Sequence, residues 1–446
     1  MIKSKNVFRE EELNDTTLLE TLISNAIGRN QQLDTFMGLL NSINKNAVLT
    51  IDGGWGSGKT IFVRQLNFLS TLNSTDVSRL NLTSIETFQE KYTTYYFNAW
   101  ENDFHEDPLQ SILFNLINDL WGVRERAADS LTQISSGLLD SLIKTTSMGL
   151  VDTAHIRDAK NITQLVDSIT TATERKKAVD DIINNYLDLK GKKLLFIIDE
   201  LDRCKPTYAV KLLEVIKHYY TNDKIVFLMS TNNQQLAHTV KKVYGESFDG
   251  TGYLSKFYDL VFNLPKFKSS EYITYLGAKL NNGYWKDEVP LEVANTLSLS
   301  MREINRYYSS LGLIEHYLSN EDRFTIGNIS AQLVKYVFIP LAYGLRIHNL
   351  DDYHSFVNGN GEDMLRLFCK SSDTAIRIIN RSAASTDTAR QEATEEMVLM
   401  YLKMTTGLRE AGDHYDIQES KDHFDRVVLL MNSSGVIDDE DGAIED

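Results

Sequence analysis

The segment IDGGWGSGKT at 51–60 contains the spacing G-x-x-x-x-G-K-[ST], from Gly53 to Thr60. Gly53, Gly54, Gly56 and Gly58 allow a backbone to turn its N–H groups inward and approach an anion closely. A helix starting at the end of such a loop points its positive N-terminus at the same anion. The chemistry that fits is a phosphate cradle. Lys59 is expected to reach the β- and γ-phosphates of a nucleoside triphosphate and the Thr60 hydroxyl to ligate Mg²⁺. The expected cofactor-binding residues are Gly53, Gly54, Trp55, Gly56, Ser57, Gly58, Lys59, Thr60 and Ile61.

A cradle of this kind needs a partner on the metal side, and LLFIIDELDR at 194–203 supplies one. Its apolar run delivers Asp199 to the end of a strand, where the carboxylate can hold Mg²⁺ through water beside Thr60. Glu200 follows directly and can polarise an attacking water as general base. An acidic residue in that place marks the additional-strand, catalytic-glutamate type of P-loop NTPase, which hydrolyses ATP. Small-molecule kinases with the same loop do not need it. A third strand, FLMSTN at 227–232, ends in Thr231 and Asn232. Asn232 is placed either to orient water or sense the γ-phosphate, or simply to start a loop.

Positioning these residues takes alternating strands and helices, the pattern of a parallel sheet. The sequence predicts a helix over 16–45, a strand at 47–53, a helix at 60–73 and an aromatic strand at 92–100. A helix at 106–123 enters through Asp107 and Pro108, with Leu109, Ile112, Leu113, Leu116, Ile117, Leu120 and Trp121 on one face. Another helix is expected at about 163–188, then strands at 192–200, 224–231 and 260–265 around a helix at 206–220. Beyond about 266 the strands stop, and 300–318 and 393–408 read as helices. The expected organisation is an α/β nucleotide-binding core over 1–265, with a helical insertion at about 101–190. A helical lid and C-terminal region over 266–446 would end in an acidic tail.

Composition narrows the function classes. At 446 residues there is length for a sizeable core. Cys204 and Cys369 are the only cysteines, which excludes a disulfide framework or a cysteine-based zinc site. The charged start MIKSKNVFREEEL has no apolar core of a signal peptide, and no run approaches 18 apolar residues, so no transmembrane segment is expected. The simplest location is the cytoplasm. A formal net charge of −16 disfavours bare nucleic acid as a partner without excluding it.

Taken in order, seven blocks resemble the KAP family of P-loop NTPases. They are AIGRNQQLDTFMGLL (26–40), IDGGWGSGKT (51–60), YYFNAWENDFHEDPLQSIL (95–113), LLFIIDELDRCKP (194–206), IVFLMSTNNQQLAHTVKKVYG (225–245), GYLSKFYDLVFNLP (252–265) and SMREINRYYSSL (300–311). The resemblance spans about two-thirds of the chain. It implies ATP binding and hydrolysis with Mg²⁺ in a regulatory or defence setting, phage exclusion among bacterial members. Many members carry transmembrane helices between the two nucleotide motifs; this chain has only the stretch at about 101–190 there, which argues for a cytosolic member. Asn232 stands where members often have an acidic residue.

Three further positions follow from the blocks. Arg203 either reaches across a subunit interface as an arginine finger or locks Asp202 or Glu101 in an ion pair. Asn98 and Trp100 end the second strand near the expected γ-phosphate, Trp100 and Trp55 more as packing residues than as ligands. Arg302 or Arg306 either contacts ATP from a lid or faces solvent. Three functions fit these features: an ATP-driven switch read by a protein partner, an effector or a second copy in a homo-oligomer; a motor acting on nucleic acid or protein; or an ATP-holding scaffold without turnover.

Overall fold

Five short runs of buried apolar residues form one parallel sheet in the computed structural model. The structure describes residues 13–116, 171–219, 222–280, 288–319, 329–379, 386–406 and 415–433. The strands are β1 (Ala47–Asp52), β2 (Tyr92–Asn98), β3 (Lys193–Asp199), β4 (Ile225–Thr231) and β5 (Leu260–Asn263), in the order β2-β3-β4-β1-β5. The loop-bearing strand β1 and the acidic strand β3 are therefore not neighbours; β4 lies between them, as the additional-strand class requires.

Continuous apolar runs suit strands buried on both faces, where successive side chains enter opposite layers. On β3, Leu194, Phe196 and Ile198 join one core with Leu212, Leu213 and Ile216, whereas Leu195 and Ile197 join the other with Phe36, Phe62 and Leu66. β4 divides the same way, with Phe227 and Met229 on the first face and Val226 and Leu228 on the second. The helices that close the second face are α1 (Asp15–Ile23), α2 (Asn30–Ser42) and α3 (Lys59–Leu69).

One expectation is corrected here. The apolar spacing over 16–45 predicts a single helix, but the chain breaks it into α1 and α2. Asn25 and Gly28 both adopt left-handed backbone, with φ of 48° and 68°. The side chain of Asn25 accepts the Asn30 backbone N–H at 3.1 Å, and the Asn30 amide donates to the Leu22 carbonyl at 2.6 Å. Periodicity survives such a break because both halves bury the same face. Two short helices, Ser74–Val77 and Ile85–Lys91, also lie in the segment between α3 and β2. The helix predicted at 106–123 is seen through residue 116 and the one at 163–188 from residue 172; the rest of the expected insertion lies outside the described residues.

The chain divides into two compact units. One comprises Leu13–Asn25 with Arg29–Lys266 and contains the sheet; the other comprises Ala26–Gly28 with the residues from Phe267 onward. In the second unit every element described from Ser269 on is helical, including Met301–Ser319 and Asp387–Thr406. Its core is held by buried tyrosines whose hydroxyls reach backbone. Tyr307 donates to the Pro340 carbonyl at 3.1 Å, and Tyr401 donates to the Phe356 carbonyl while accepting the Gly361 N–H at 2.9 Å. No helix among the described residues is long and apolar enough to cross a membrane.

Tyr92 performs the same service in the first unit, donating from a fully buried ring to the Leu40 carbonyl at 2.7 Å and so joining β2 to α2. Tyr92→Phe leaves that carbonyl buried and unmet. It is expected to destabilise the chain by about 1–2 kcal/mol, read from the urea midpoint at unchanged slope; an unshifted midpoint contradicts this account of the strand's anchorage.

Candidate functional site

The phosphate loop leaves β1 at Asp52 and enters α3 at Lys59. Gly56 and Gly58 take left-handed φ of 69° and 86°, a conformation that side-chain-bearing residues adopt at a cost, which is why glycines stand there. At Gly53 a Cβ would lie 2.8 Å from Ser57 Oγ, so a side chain there would push that hydroxyl aside. Lys59 is buried, and its ammonium curls back onto its own loop, donating to the Gly53 carbonyl at 2.6 Å and the Gly54 carbonyl at 3.2 Å. Burial lowers its pKa, while the carboxylates of Asp202, Asp199 and Asp52 oppose that shift. The side chain of Ile61 faces the core, so it can serve a ligand only through its backbone.

Asp199 ends β3 almost wholly buried, at 1% exposure. Burial raises its pKa, and the nearby hydroxyls of Ser230, Thr60 and Tyr96 and the Glu200 backbone N–H oppose that shift. The Tyr96 hydroxyl lies 3.1 Å from Oδ2 and the Glu200 nitrogen 3.0 Å from Oδ1. The two sequence motifs thus meet through the hydroxyl of Thr60 and the carboxylate of Asp199. Glu200 is also buried and holds a left-handed φ of 59°, costing on the order of 1–2 kcal/mol for a residue with a side chain. Its Oε1 lies 3.1 Å from Nη2 of Arg203. Arg203 therefore pairs with the expected base itself, rather than with Asp202 or Glu101.

Two tryptophans rim this region. Trp100 is 47% exposed, and the Arg203 guanidinium stands over its ring, 5.4 Å from the centroid. Trp55 corrects the packing expectation. It is 54% exposed, and its indole N–H donates to Asp202 Oδ2 at 3.0 Å, a polar tie between the phosphate loop and the turn after β3.

The sheet register lines up the remaining polar groups. Asn98 is opposite Asp199, Asp199 opposite Ser230, and Asp52 opposite Thr231. Asn98 is buried, with its Oδ1 accepting the backbone N–H groups of Trp100 and Glu101 at 3.1 and 3.3 Å. Asn232 caps the helix Asn233–Tyr244 by accepting the Gln235 N–H at 3.3 Å. Asp52 accepts the Asn233 N–H at 2.9 Å, and Thr231 donates to the Asn233 side chain at 2.9 Å. Arg302 and Arg306 belong to the helical unit, Arg302 exposed and Arg306 half-buried.

Sequence reasoning missed Tyr96, Ser230, Asp202, Asp52 and Arg29. Tyr96 and Ser230 sit in strands and reach Asp199 only because of the register. Arg29 is buried and donates from Nη1 to the Ser57 carbonyl at 2.8 Å, and from Nη2 to the Pro265 carbonyl. Asp202 stands beside an expected site residue, so the DELDR string carried its signal without its partner.

The donor set suits a magnesium nucleotide. No cluster of three or more His, Cys, Asp or Glu residues is found among the described residues. Mg²⁺ bound with a nucleotide characteristically takes only one or two carboxylates, the phosphates and water supplying the rest. Two buried polar atoms, Ser57 Oγ in the loop and Asn98 Nδ2 beside Asp199, lack a hydrogen-bond partner among the described residues and are suited to a polar ligand.

A glycine cradle on β1, an acidic strand end on β3 and an intervening β4 define a P-loop NTPase fold. The model for the KAP family P-loop domain matches residues 29–318, and the chain belongs to that family. Among solved structures, the Aeropyrum pernix ORC1 protein in complex with DNA aligns over 90% of this chain and 83% of its own. Its identity is 11% and its TM-score 0.34. Comparison with curated proteins returned no match.

Lys59 bears on stability as well as on binding. Its pKa is lower folded than unfolded, so its charge costs folding free energy below the folded value; the cost disappears above the unfolded one. Lys59→Met removes that cost, and water can take the half-exposed loop carbonyls. Urea unfolding without nucleotide is expected to show a gain on the order of 1 kcal/mol at neutral pH. The gain should shrink as pH rises towards the normal lysine pKa of about 10.4; a Lys59→Met chain less stable than the parent at neutral pH contradicts this reading.

Proposed function

We propose that this chain binds Mg-ATP and hydrolyses it, and that the cycle of binding and turnover works as a switch. The observation that carries the reading is the meeting of Thr60 with Asp199, beside the Lys59 ammonium and with Glu200 next in the chain. In this reading the backbone from Gly53 through Gly54, Trp55, Gly56, Ser57 and Gly58 to Ile61 cradles the phosphates, and Lys59 exchanges its loop carbonyls for phosphate oxygens. Thr60 and Asp199 would hold Mg²⁺, which when bound neutralises charge on the phosphates.

Glu200 takes the proton of the attacking water. Its carboxylate must first leave Arg203, since an ion-paired carboxylate is a weaker base. Arg203, once released, is free to meet the transferring phosphoryl group, in its own chain or in a neighbouring copy. Asn98 offers its buried amide donor beside the strand ends, and Asn232, fixed as a helix cap, offers a second amide at the end of β4. The region over 1–265 carries the chemistry and the helical region over 266–446 reads it out to a protein partner. Family membership supports a regulatory or anti-phage setting, and the net charge of −16 favours that setting over a nucleic-acid motor.

The reading is tested by turnover and binding together. Glu200→Gln is expected to keep Mg-ATP affinity and lose turnover by about 10²–10⁴-fold, whereas Lys59→Ala loses affinity. A parent chain that binds ATP but turns over no faster than Glu200→Gln would instead be a nucleotide-holding scaffold. Native mass with and without Mg-ATP addresses the oligomer, and Arg203→Ala with full turnover in a confirmed oligomer removes Arg203 from the chemistry.

A further inference from the structure

We propose that Arg29 is a positioning residue that couples occupancy of the phosphate loop to the two stretches of chain leading out of the nucleotide unit. The inference rests on the ATP-switch reading and adds the route by which the loop is read. Arg29 and Pro265 stand next to the places where the chain leaves the sheet-bearing unit, between 28 and 29 and between 266 and 267. Within that unit, the Arg29 guanidinium bonds the Ser57 carbonyl at 2.8 Å and also the Pro265 carbonyl. One rigid side chain thus ties the middle of the phosphate loop to both exits. On the other side of the crossing, the Lys268 N–H donates to the Ile27 carbonyl at 3.4 Å, so the two stretches run paired.

The chemistry of the side chain suits this work. A buried cation is costly, and a hydrophobic residue would pack with less penalty. Arginine's planar fork holds two carbonyls at fixed angles, which the single point charge of lysine cannot reproduce. Burial pushes the guanidinium down to about 10, so it stays charged at neutral pH and remains a donor to both carbonyls.

Peptide planarity gives the coupling its direction. A trans peptide points its C=O and the following N–H to opposite sides. With the Ser57 carbonyl pinned on Arg29, the Gly58 N–H is fixed facing away from Arg29. Gly58 is the left-handed residue immediately before α3, so the orientation of this peptide belongs to the loop's anion-binding geometry. Any rotation of that peptide on phosphate binding pulls on the guanidinium and, through it, on Pro265.

The experiment is hydrogen exchange of the full chain with and without Mg-ATP, comparing the parent with Arg29→Lys. In the parent, Mg-ATP is expected to slow exchange in 57–62 and also in 264–268. In Arg29→Lys, saturating Mg-ATP should still slow 57–62 but leave 264–268 unchanged, with affinity weakened about tenfold. Loss of ATP-dependent slowing at 264–268 alone is something a general packing role would not produce. Several outcomes overturn the proposal: Arg29→Lys keeping the parent's protection at 264–268; a parent that responds at 57–62 but not at 264–268; or an Arg29→Lys chain whose nucleotide-free melting temperature falls by more than about 5 °C, which makes Arg29 a folding residue. A parent with no response at 57–62 fails the ATP-binding reading itself, and with it this one.

Discussion

A buried charge must be met by hydrogen bonds, and the site is organised by that requirement. The Lys59 ammonium is met by two carbonyls of its own loop. The Asp199 carboxylate is met by the Tyr96 hydroxyl and the Glu200 backbone N–H, with the Thr60 and Ser230 hydroxyls beside it. Neither arrangement is a strong ion pair; both are made of neutral donors and acceptors of the chain itself. Both charges are consequently met within the fold, whereas the neighbouring Ser57 Oγ and Asn98 Nδ2 lack a partner among the described residues.

The sheet makes this arrangement possible. Its strands are parallel, so their C-terminal ends share one edge, and their apolar runs fix the register. That register brings Asn98, Asp199 and Ser230 into one row, with Thr231 and Asp52 in the adjoining pair. The inserted strand β4 is what supplies Ser230 to Asp199 on one side and Thr231 opposite Asp52 on the other. A slip of one residue would turn Asp199 to the opposite face of the sheet and leave a carboxylate among the core residues that surround Phe196 and Ile198.

Much of this was legible in the sequence because its signals were local. The strand cores, the glycine loop and the DELDR turn each declare themselves within ten residues. Tyr96 and Ser230 did not, because their connection to Asp199 exists only after three strands pair. Arg29 did not either, since its two acceptors lie 28 and 236 residues away. The break between α1 and α2 escaped for a different reason. The apolar stripe continues across it, and only the left-handed backbone at Asn25 and Gly28 ends the helix. Trp55 was read as packing the loop against neighbouring structure, and its string context does not reveal that the tie is polar, an N–H to a carboxylate.

The turn after β3 joins the loop to the expected base. Across Leu201–Arg203 the chain makes one 3-10 turn, from which Asp202 reaches Trp55 of the phosphate loop and Arg203 reaches back to Glu200. A displacement of this turn therefore changes the loop's tether and the availability of Glu200 together. The Arg203 guanidinium is 28% exposed, whereas the Glu200 carboxylate it meets is buried and needs a partner. The left-handed backbone of Glu200 costs on the order of 1–2 kcal/mol against that pairing. The pairing and the strained backbone thus act on one residue, and the turn that carries both is the turn that Trp55 ties to the phosphate loop.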